Sequence, residues 1–388
     1  MENFEFSSPT KIIFGKGTEQ RTGEEVKLYS SRILFLYGSG SIKKTGLYDR
    51  IAVSLKTSRV DFVELPGVQP NPRLGLIEEG ISICKEEGID FILAVGGGSV
   101  IDSAKAIGAG VCYDGPVWDF FPATMAVTEC LPIGVVLTIP AAGSEASQFA
   151  VITREDTKQK LPMRGEALRP RFAILNPELT FTLPPYQTAC GCVDIMGHVF
   201  ERYFTTVPDV DLTDRLCEAV LRTVIANAPI VLAEPENYAA RAEIMWAATL
   251  AHNDLLSTGR IGDWSSHRIE HELSAIYDIT HAAGLAVVYP AWMKYSFKKD
   301  IKRFVQFAVR VWGVDLSFET EERIALEGIR RMESFFKELG LAVRLRELNI
   351  SPERFDEMAE KCAAYWSSGG NYQKLEKQVV KDILELAL

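Results

Sequence analysis

Three of the chain's five histidines fall within one short stretch, Gly262 to Ala286. His267 and His271 are four apart, so a helix places both imidazoles on one face about one turn from each other. His281 follows beyond Tyr277-Asp278-Ile279-Thr280, a polar, partly β-branched break that can turn the chain back. A fourth histidine stands in Asp194-Ile-Met-Gly-His198, where the same spacing pairs a carboxylate with an imidazole. Brought together, the two pairs offer one carboxylate and three imidazoles to a divalent metal ion. Taken singly, each histidine reads more readily as a core or capping residue; the clustering is what points to a shared site. A competing pattern overlaps it. His267-Arg-Ile-Glu270-His271 fits H-x-x-E-H, in which both histidines bind zinc and Glu270 is the general base of a hydrolase or peptidase. That alternative leaves Asp194, His198 and the glycine-rich turns without a role.

Those turns form the second set of chemical candidates. Gly96-Gly97-Gly98-Ser99 joins a buried strand to a helix start, where glycines allow close backbone approach and the helix N-terminus offers N–H groups to a diphosphate. Ser99 and Asp102 also have the spacing of a capping box. Neither the phosphate-loop pattern G-x-x-x-x-G-K-[ST] nor the dinucleotide fingerprint G-x-G-x-x-G follows a strand here, so a nucleotide must be held by a different loop. Gly38-Ser39-Gly40-Ser41-Ile42-Lys43-Lys44 closes an earlier strand. Where a sheet binds adenosine, an acidic residue at that place grips the ribose hydroxyls and repels a 2′-phosphate. This turn carries small and hydroxylic residues and then two lysines, which favours NADP over NAD. Thr138 to Glu145 supplies another hydroxyl-bearing turn, and Lys160 could reach a ribose or carboxamide.

The elements that must position these groups divide the chain in two. At 388 residues it is too long for one ordinary core. Buried-strand runs at Ile33–Tyr37, Arg59–Leu65, Phe91–Val95, Val135–Ile139 and Arg171–Leu175 alternate with helical patterns at Leu74–Glu87 and Val100–Val111. This predicts a parallel sheet covered by helices. Phe4 to Phe14 is expected as an N-terminal strand or hairpin. After Leu183-Pro184-Pro185 strand-like runs nearly vanish, and helices are expected over Leu212–Leu232, Tyr238–Leu256, Thr320–Leu339 and Pro352–Trp366. The expected domains are therefore 1–185, α/β and glycine-rich, and 186–388, all-helical and holding the metal residues. The reaction site is expected in a cleft between them.

Composition narrows the class further. Hydrophobic content of 47% and charged content of 24% describe a globular protein, and a net charge of -10 argues against nucleic acid as a partner. No signal-like start and no uncharged membrane-length run is present, so no membrane association is expected. Seven scattered cysteines read as structural thiols in a reducing cytoplasm.

In this order the pieces resemble the iron-containing (group III) alcohol dehydrogenases, and within them the butanol dehydrogenase and NADPH-dependent aldehyde reductase branch. The resemblance spans nearly the whole chain, from Pro9-Thr10-Lys11-Ile12-Ile13-Phe14-Gly15, through the turns above and Gln69-Pro70-Asn71-Pro72, to Trp264-x-x-His267-x-x-x-His271-Glu272-Leu273-Ser274-Ala275. It implies a dehydroquinate synthase-like fold, with an N-terminal dinucleotide-binding domain, a helical C-terminal domain and assembly as a homodimer. It implies Asp194, His198, His267 and His281 as ligands of one divalent metal, Fe(II) or Zn(II), with His271 outside the shell as a proton carrier. The cofactor, NADP(H) with NAD(H) possible, would be lined by Gly38, Ser39, Gly40, Ser41, Asn71, Gly97, Gly98, Ser99, Asp102, Thr138, Ser147 and Lys160. The implied reaction is reversible hydride transfer between a small primary alcohol, butanol-like, and nicotinamide. Three departures from the family pattern are Ala142, where Thr is frequent, Ser147, where the aldehyde reductases have Asn, and Ala282, where Gly usually follows the last metal histidine. Trp264 becomes a candidate wall of the substrate pocket.

Overall fold

The computed structural model describes residues 1–121, 123–317, 320–366 and 370–388. The chain separates into two compact units: Ser7–Leu183 with Pro235–Asn253, and Met1–Phe6 with Pro184–Glu234 and Asp254–Leu388.

The first unit is built on eight strands: β1 (Lys11–Phe14), β2 (Arg32–Gly38), β3 (Asp61–Val68), β4 (Ile92–Gly96), β5 (Ile133–Leu137), β6 (Phe149–Arg154), β7 (Gln159–Arg164) and β8 (Phe172–Leu175). Six of them form one sheet in the order β1-β8-β5-β4-β2-β3, and every pairing in it is parallel. The helices are α1 (Thr22–Lys27), α2 (Ser41–Lys44), α3 (Leu47–Thr57), α4 (Leu74–Glu87) and α5 (Gly98–Val111). Alternate residues of β2 explain why both faces are covered. Ile33, Phe35 and Tyr37 pack with Val26, Ile51 and Leu55 from α1 and α3, while Leu34 and Leu36 are equally buried on the opposite face. On that side α4 and α5 meet so closely that a Cβ on Gly80 would lie 2.5 Å from Ile107 Cδ1 and 3.0 Å from Leu65.

Two expectations need correcting here. Only Lys11–Phe14 of the N-terminal stretch is a strand, because its sole partner is β8 and residues 1–9 lie exposed. The antiparallel hairpin β6–β7 was not foreseen; polar Thr153 and Lys160 and a mid-strand Pro162 hide its alternation.

The remaining helices are α6 (Pro185–Tyr203), α7 (Asp211–Ala233), α8 (Tyr238–His252), α9 (Ser265–Tyr277), α10 (His281–Ser296), α11 (Ile301–Arg310), α12 (Glu321–Glu338), α13 (Phe355–Trp366) and α14 (Lys377–Leu386). Thr320 caps α12 by accepting from the Arg323 N–H at 3.4 Å. By sequence α8 lies among the helical half, but it packs into the sheet-bearing unit. Gly143, at φ +63, permits that approach: a Cβ there would sit 2.7 Å from the Ala248 carbonyl oxygen and from His252 Cβ. The His252 Nδ1 is 2.7 Å from the Ala142 carbonyl. Among the described residues, α7 is the one helix long and apolar enough to cross a membrane. Its polar side chains are engaged within its unit: Asp214 takes the buried Arg260 guanidinium at 2.8 Å and Glu218 the Tyr203 hydroxyl at 2.9 Å.

Candidate functional site

Three helices converge on the histidines. Asp194, His198 and Glu201 recur at i, i+4 and i+7 on α6, which starts on a proline that suits a first helical turn. His267 and His271 share a face of α9, and Asp278 and Thr280 turn the chain so that α10 begins on His281 itself. The ligating atoms of Asp194, His267 and His281 all lie within 4.8 Å of one another. The His198 ring centroid is 4.8 Å from that of His267.

The Nδ1 atom of each of these three imidazoles already has a partner. His198 Nδ1 lies 2.9 Å from the Asp194 carbonyl, His267 Nδ1 lies 2.8 Å from Glu201 Oε1, and His281 Nδ1 contacts Glu270 Oε2. Donation from Nδ1 to a carbonyl or carboxylate is the arrangement typical of metal-binding histidines, and it turns Nε2 towards the ion. His267 Nε2 and Asp194 Oδ1 are both buried without a hydrogen-bond partner. Burial, reinforced by His198 and His281, pushes the His267 imidazole well below its usual range and keeps it neutral. Burial would raise Asp194, but His198, whose Nδ1 lies 3.2 Å from Asp194 Oδ1, together with His281, holds it well below the usual carboxylate range. A neutral His267 imidazole beside an ionised Asp194 is the form of those ligands that a divalent cation binds. The residues fit the group.

Glu201 organises this cluster and escaped the sequence analysis. It is buried, accepts the backbone N–H of Trp264 at 2.5 Å and of His267 at 3.0 Å, and takes the Tyr289 hydroxyl at 3.0 Å. It thereby caps α9 from α6 while orienting His267. Trp264 needs that support: a bulky residue at φ +67 is strained. Its ring stands edge-on to His198 and His267, at 6.1 and 5.4 Å. Glu270 has the matching task one helix later. It is fully buried, receives Ser274 Oγ as well as His281 Nδ1, and passes so close to α10 that a Cβ on Gly284 would lie 2.7 Å from its Cγ. A carboxylate held in that way is no general base towards water, and the hydrolase reading of His267-x-x-Glu270-His271 is not supported. His271 lies beside the cluster, its ring 5.6 Å from that of His281. The His281 side chain is 24% exposed, against 7% or less for Asp194, His198 and His267, so the cluster opens on the His281 side.

In the sheet-bearing unit, β2, β4 and β5 are neighbours, and the order reverses between β2, which leads to the edge strand β3, and β4, which leads the other way. Crevices beyond the carboxyl ends of strands at such a reversal are where open α/β sheets take ligands. Gly38, Ser39, Gly40 and Ser41 follow β2, Gly97, Gly98 and Ser99 follow β4, and Thr138 follows β5. Gly40 sits at φ +110. A Cβ on Gly96 would lie 2.4 Å from Val100 Cγ2, one on Gly97 3.0 Å from Ile139 and one on Gly98 3.2 Å from the Ala142 Cβ. Packing therefore contributes to the need for these glycines.

Other expected cofactor residues have structural partners. The capping box does not form: α5 is capped by Gly97 without a side-chain bond. Asp102 instead accepts from Ser144 Oγ at 2.6 Å and from the Val151 N–H at 2.9 Å. Lys105 lies one turn on and is fully buried. Its ammonium donates to the carbonyls of Ser144, Ser147 and Phe149 at 2.8, 2.9 and 2.7 Å, with the Ser144 hydroxyl at 2.9 Å and that of Ser147 at 3.2 Å. Ser147 thus faces Lys105. Asn71, at φ +52, meets Lys160 of β7, whose Nζ donates to Asn71 Oδ1 at 3.0 Å. The turn after β2 carries no carboxylate, but Glu64 of β3 reaches Lys43 at 3.2 Å.

Comparison with known proteins places this geometry. The family model for iron-containing alcohol dehydrogenase matches residues 9–177, and that for the C-terminal part of the Fe-containing alcohol dehydrogenase family matches residues 188–388. A probable NADH-dependent butanol dehydrogenase of Bacillus subtilis is 47% identical over 100% of both chains. An NADPH-dependent aldehyde reductase of Escherichia coli is 38% identical over 93% of each. The crystal structure of an NADH-dependent butanol dehydrogenase from Thermotoga maritima superposes with a TM-score of 0.96 at 41% identity, covering 100% of this chain and 99% of the other.

Proposed function

The chain belongs to the iron-containing alcohol dehydrogenase family and is an oxidoreductase of that kind; from that premise we propose that it interconverts a small primary alcohol, of about butanol size, and its aldehyde, with NADP(H) preferred over NAD(H). The observation that carries the site is the convergence of Asp194, His198, His267 and His281 with Asp194 Oδ1 and His267 Nε2 buried and unpartnered. These four residues would hold one divalent ion, Fe(II) or Zn(II); their donor types suit either. Two groups from outside the chain supply the chemistry when bound: the nicotinamide carries hydride, and the ion polarises the substrate oxygen.

The chain's own residues do the rest. Glu201 and Glu270 keep His267 and His281 turned so that Nε2 faces inward. Trp264 walls the substrate, and its strained backbone, tied to Glu201, keeps the indole from swinging aside. His271, buried with its ring beside that of the more exposed His281, passes a proton between the substrate oxygen and the solvent side, a task suited to an imidazole. In the sheet-bearing unit, the turns after β2, β4 and β5, with Asn71 and Lys160, would line the nucleotide, and Asp102, Lys105 and Ser147 would shape the loop it meets. The absence of an acidic side chain from Gly38 to Ser41, followed by Lys43 and Lys44, supports the phosphorylated cofactor. We further read the protein as a cytoplasmic homodimer; seven unpaired cysteines are in keeping with a reducing compartment.

The test is NADPH-dependent against NADH-dependent butanal reduction by protein whose metal content has been measured. Reduction faster with NADPH and lost with the metal is expected. Full activity in metal-free protein would overturn the site, and a clear NADH preference would overturn the cofactor assignment.

A further inference from the structure

The four residues Tyr37, Lys43, Tyr48 and Glu64 form a closed group at the carboxyl side of β2, where the strand order reverses. Glu64 Oε2 accepts the Tyr37 hydroxyl at 2.6 Å and the Lys43 ammonium at 3.2 Å, and Glu64 Oε1 accepts the Tyr48 hydroxyl. The ammonium also stands 4.6 Å from the centre of the Tyr48 ring and 5.2 Å from that of Tyr37. It is therefore held by a carboxylate and two aromatic faces. An exposed lysine–carboxylate pair alone would be loose and weak. Here both hydroxyls fix the carboxylate, and both ring faces attract the cation, so the lysine has one place to be. The two rings are themselves anchored, because Phe35 stacks on Tyr48 at 5.4 Å and meets Tyr37 edge-on at 5.4 Å.

This changes how many positive charges the turn offers. Lys43 and Lys44 count as two cations in the sequence, but the first is balanced by Glu64. A phosphate on the ribose 2′ position would meet Lys43 with its charge already matched, and would feel the repulsion of the carboxylate behind it. An unphosphorylated ribose would feel neither effect. We propose that Glu64, acting through Lys43, is a positioning residue that restrains the preference for a phosphorylated ribose and keeps the unphosphorylated dinucleotide usable. The proposal rests on the nucleotide reading above, since it takes the turn after β2 as the adenosine end of that site.

The test measures binding rather than turnover, by calorimetry of the whole protein with adenosine 2′,5′-bisphosphate and with adenosine 5′-monophosphate. Glu64→Gln keeps the size and an oxygen for the tyrosine hydroxyls but removes the charge. It should tighten the bisphosphate on the order of tenfold at low salt, less as salt screens the field, and leave the monophosphate within about twofold. Lys43→Gln, at a half-exposed side chain that folding tolerates, should move the ratio the other way by about threefold to tenfold. A purely structural role for Glu64 would weaken both ligands together, and that result overturns the proposal, as does an unchanged ratio in Glu64→Gln. If the unsubstituted protein bound neither adenine nucleotide, the nucleotide reading would fall and this proposal with it. Binding of both with no charge-dependent change in their ratio would remove the role of Glu64 alone.

Discussion

In the proposed reading, the metal-type cluster and the glycine turns hold a ligand in opposite ways. Around Asp194, His198, His267 and His281 the donors are side chains, and carboxylates on other helices, Glu201 for His267 and Glu270 for His281, fix the orientation of two of them. At the ends of β2, β4 and β5 the ligand-facing material is largely backbone, and the polar side chains nearby, Asp102, Lys105, Ser144 and Ser147, bond to one another and to the loop. A side-chain site is vulnerable to loss of charge or of a ring nitrogen. A backbone site is vulnerable to added bulk. That difference predicts which substitutions each will tolerate.

The largest effect should follow loss of a ligand. His267→Ala should lose bound metal, read by elemental analysis, with turnover down by about a thousandfold or more. His271→Ala should keep its metal and slow turnover by about a hundredfold to ten-thousandfold. Equal metal loss in both would abolish the division between ligand and proton carrier. Next come the orienting carboxylates. Glu201→Gln and Glu270→Gln should each weaken metal affinity by about tenfold to a hundredfold, measured by competition with a chelator. Unchanged affinity in both would mean that the histidines hold their orientation without them. On the backbone side, Gly97→Ala puts a Cβ 3.0 Å from Ile139. It should raise KM for the nucleotide by about tenfold, the scale of mild overpacking, with metal content unaltered. A fall in metal content would blur the contrast between the two sites.

The smallest effect concerns pH. Burial pushes Glu272 up to about 7, with Lys361 only 3.5 Å away to oppose it. The folded state thus keeps this proton over a range where the unfolded chain has released it. The stability so gained is present at low pH and is lost as pH rises through about 7. Glu272→Gln removes that dependence. Its melting temperature should gain on the parent by about 2–4 °C between pH 5 and pH 8, and a constant difference across that range would count against the assignment.

How much was legible in the sequence follows the same contrast. Histidine is rare in this chain, so its clustering and its four-residue spacings stood out, and the structure brings these residues together. Buried strands such as Ile33–Tyr37 were equally plain, because a run covered on both faces is continuously apolar. Glu201 could not be picked out in the same way, and Glu270 stood out only in the hydrolase pattern, with a different role. Acidic residues number 52 with aspartate included, and these two matter through partners on other helices. Spacing did offer a faint signal, since Glu201 continues the Asp194–His198 face of α6. Asp102 and Ser147, expected beside the cofactor, also have partners no motif shows: their side-chain oxygens meet Ser144, the Val151 N–H and Lys105. The lysines after Ser41 were visible, whereas the carboxylate that balances one of them comes from the next strand and is invisible to any short motif.

The chain's path through its two units has a consequence for modularity. It passes from one unit to the other after Phe6, Leu183, Glu234 and Asn253. A single cut near residue 185 therefore cannot yield two complete pieces. The C-terminal fragment would carry α8 away from the sheet it packs on, and the N-terminal fragment would keep the six residues that belong with the helices. A single crossover near residue 185 between two relatives would therefore pair the sheet-bearing unit of one parent with the α8 of the other.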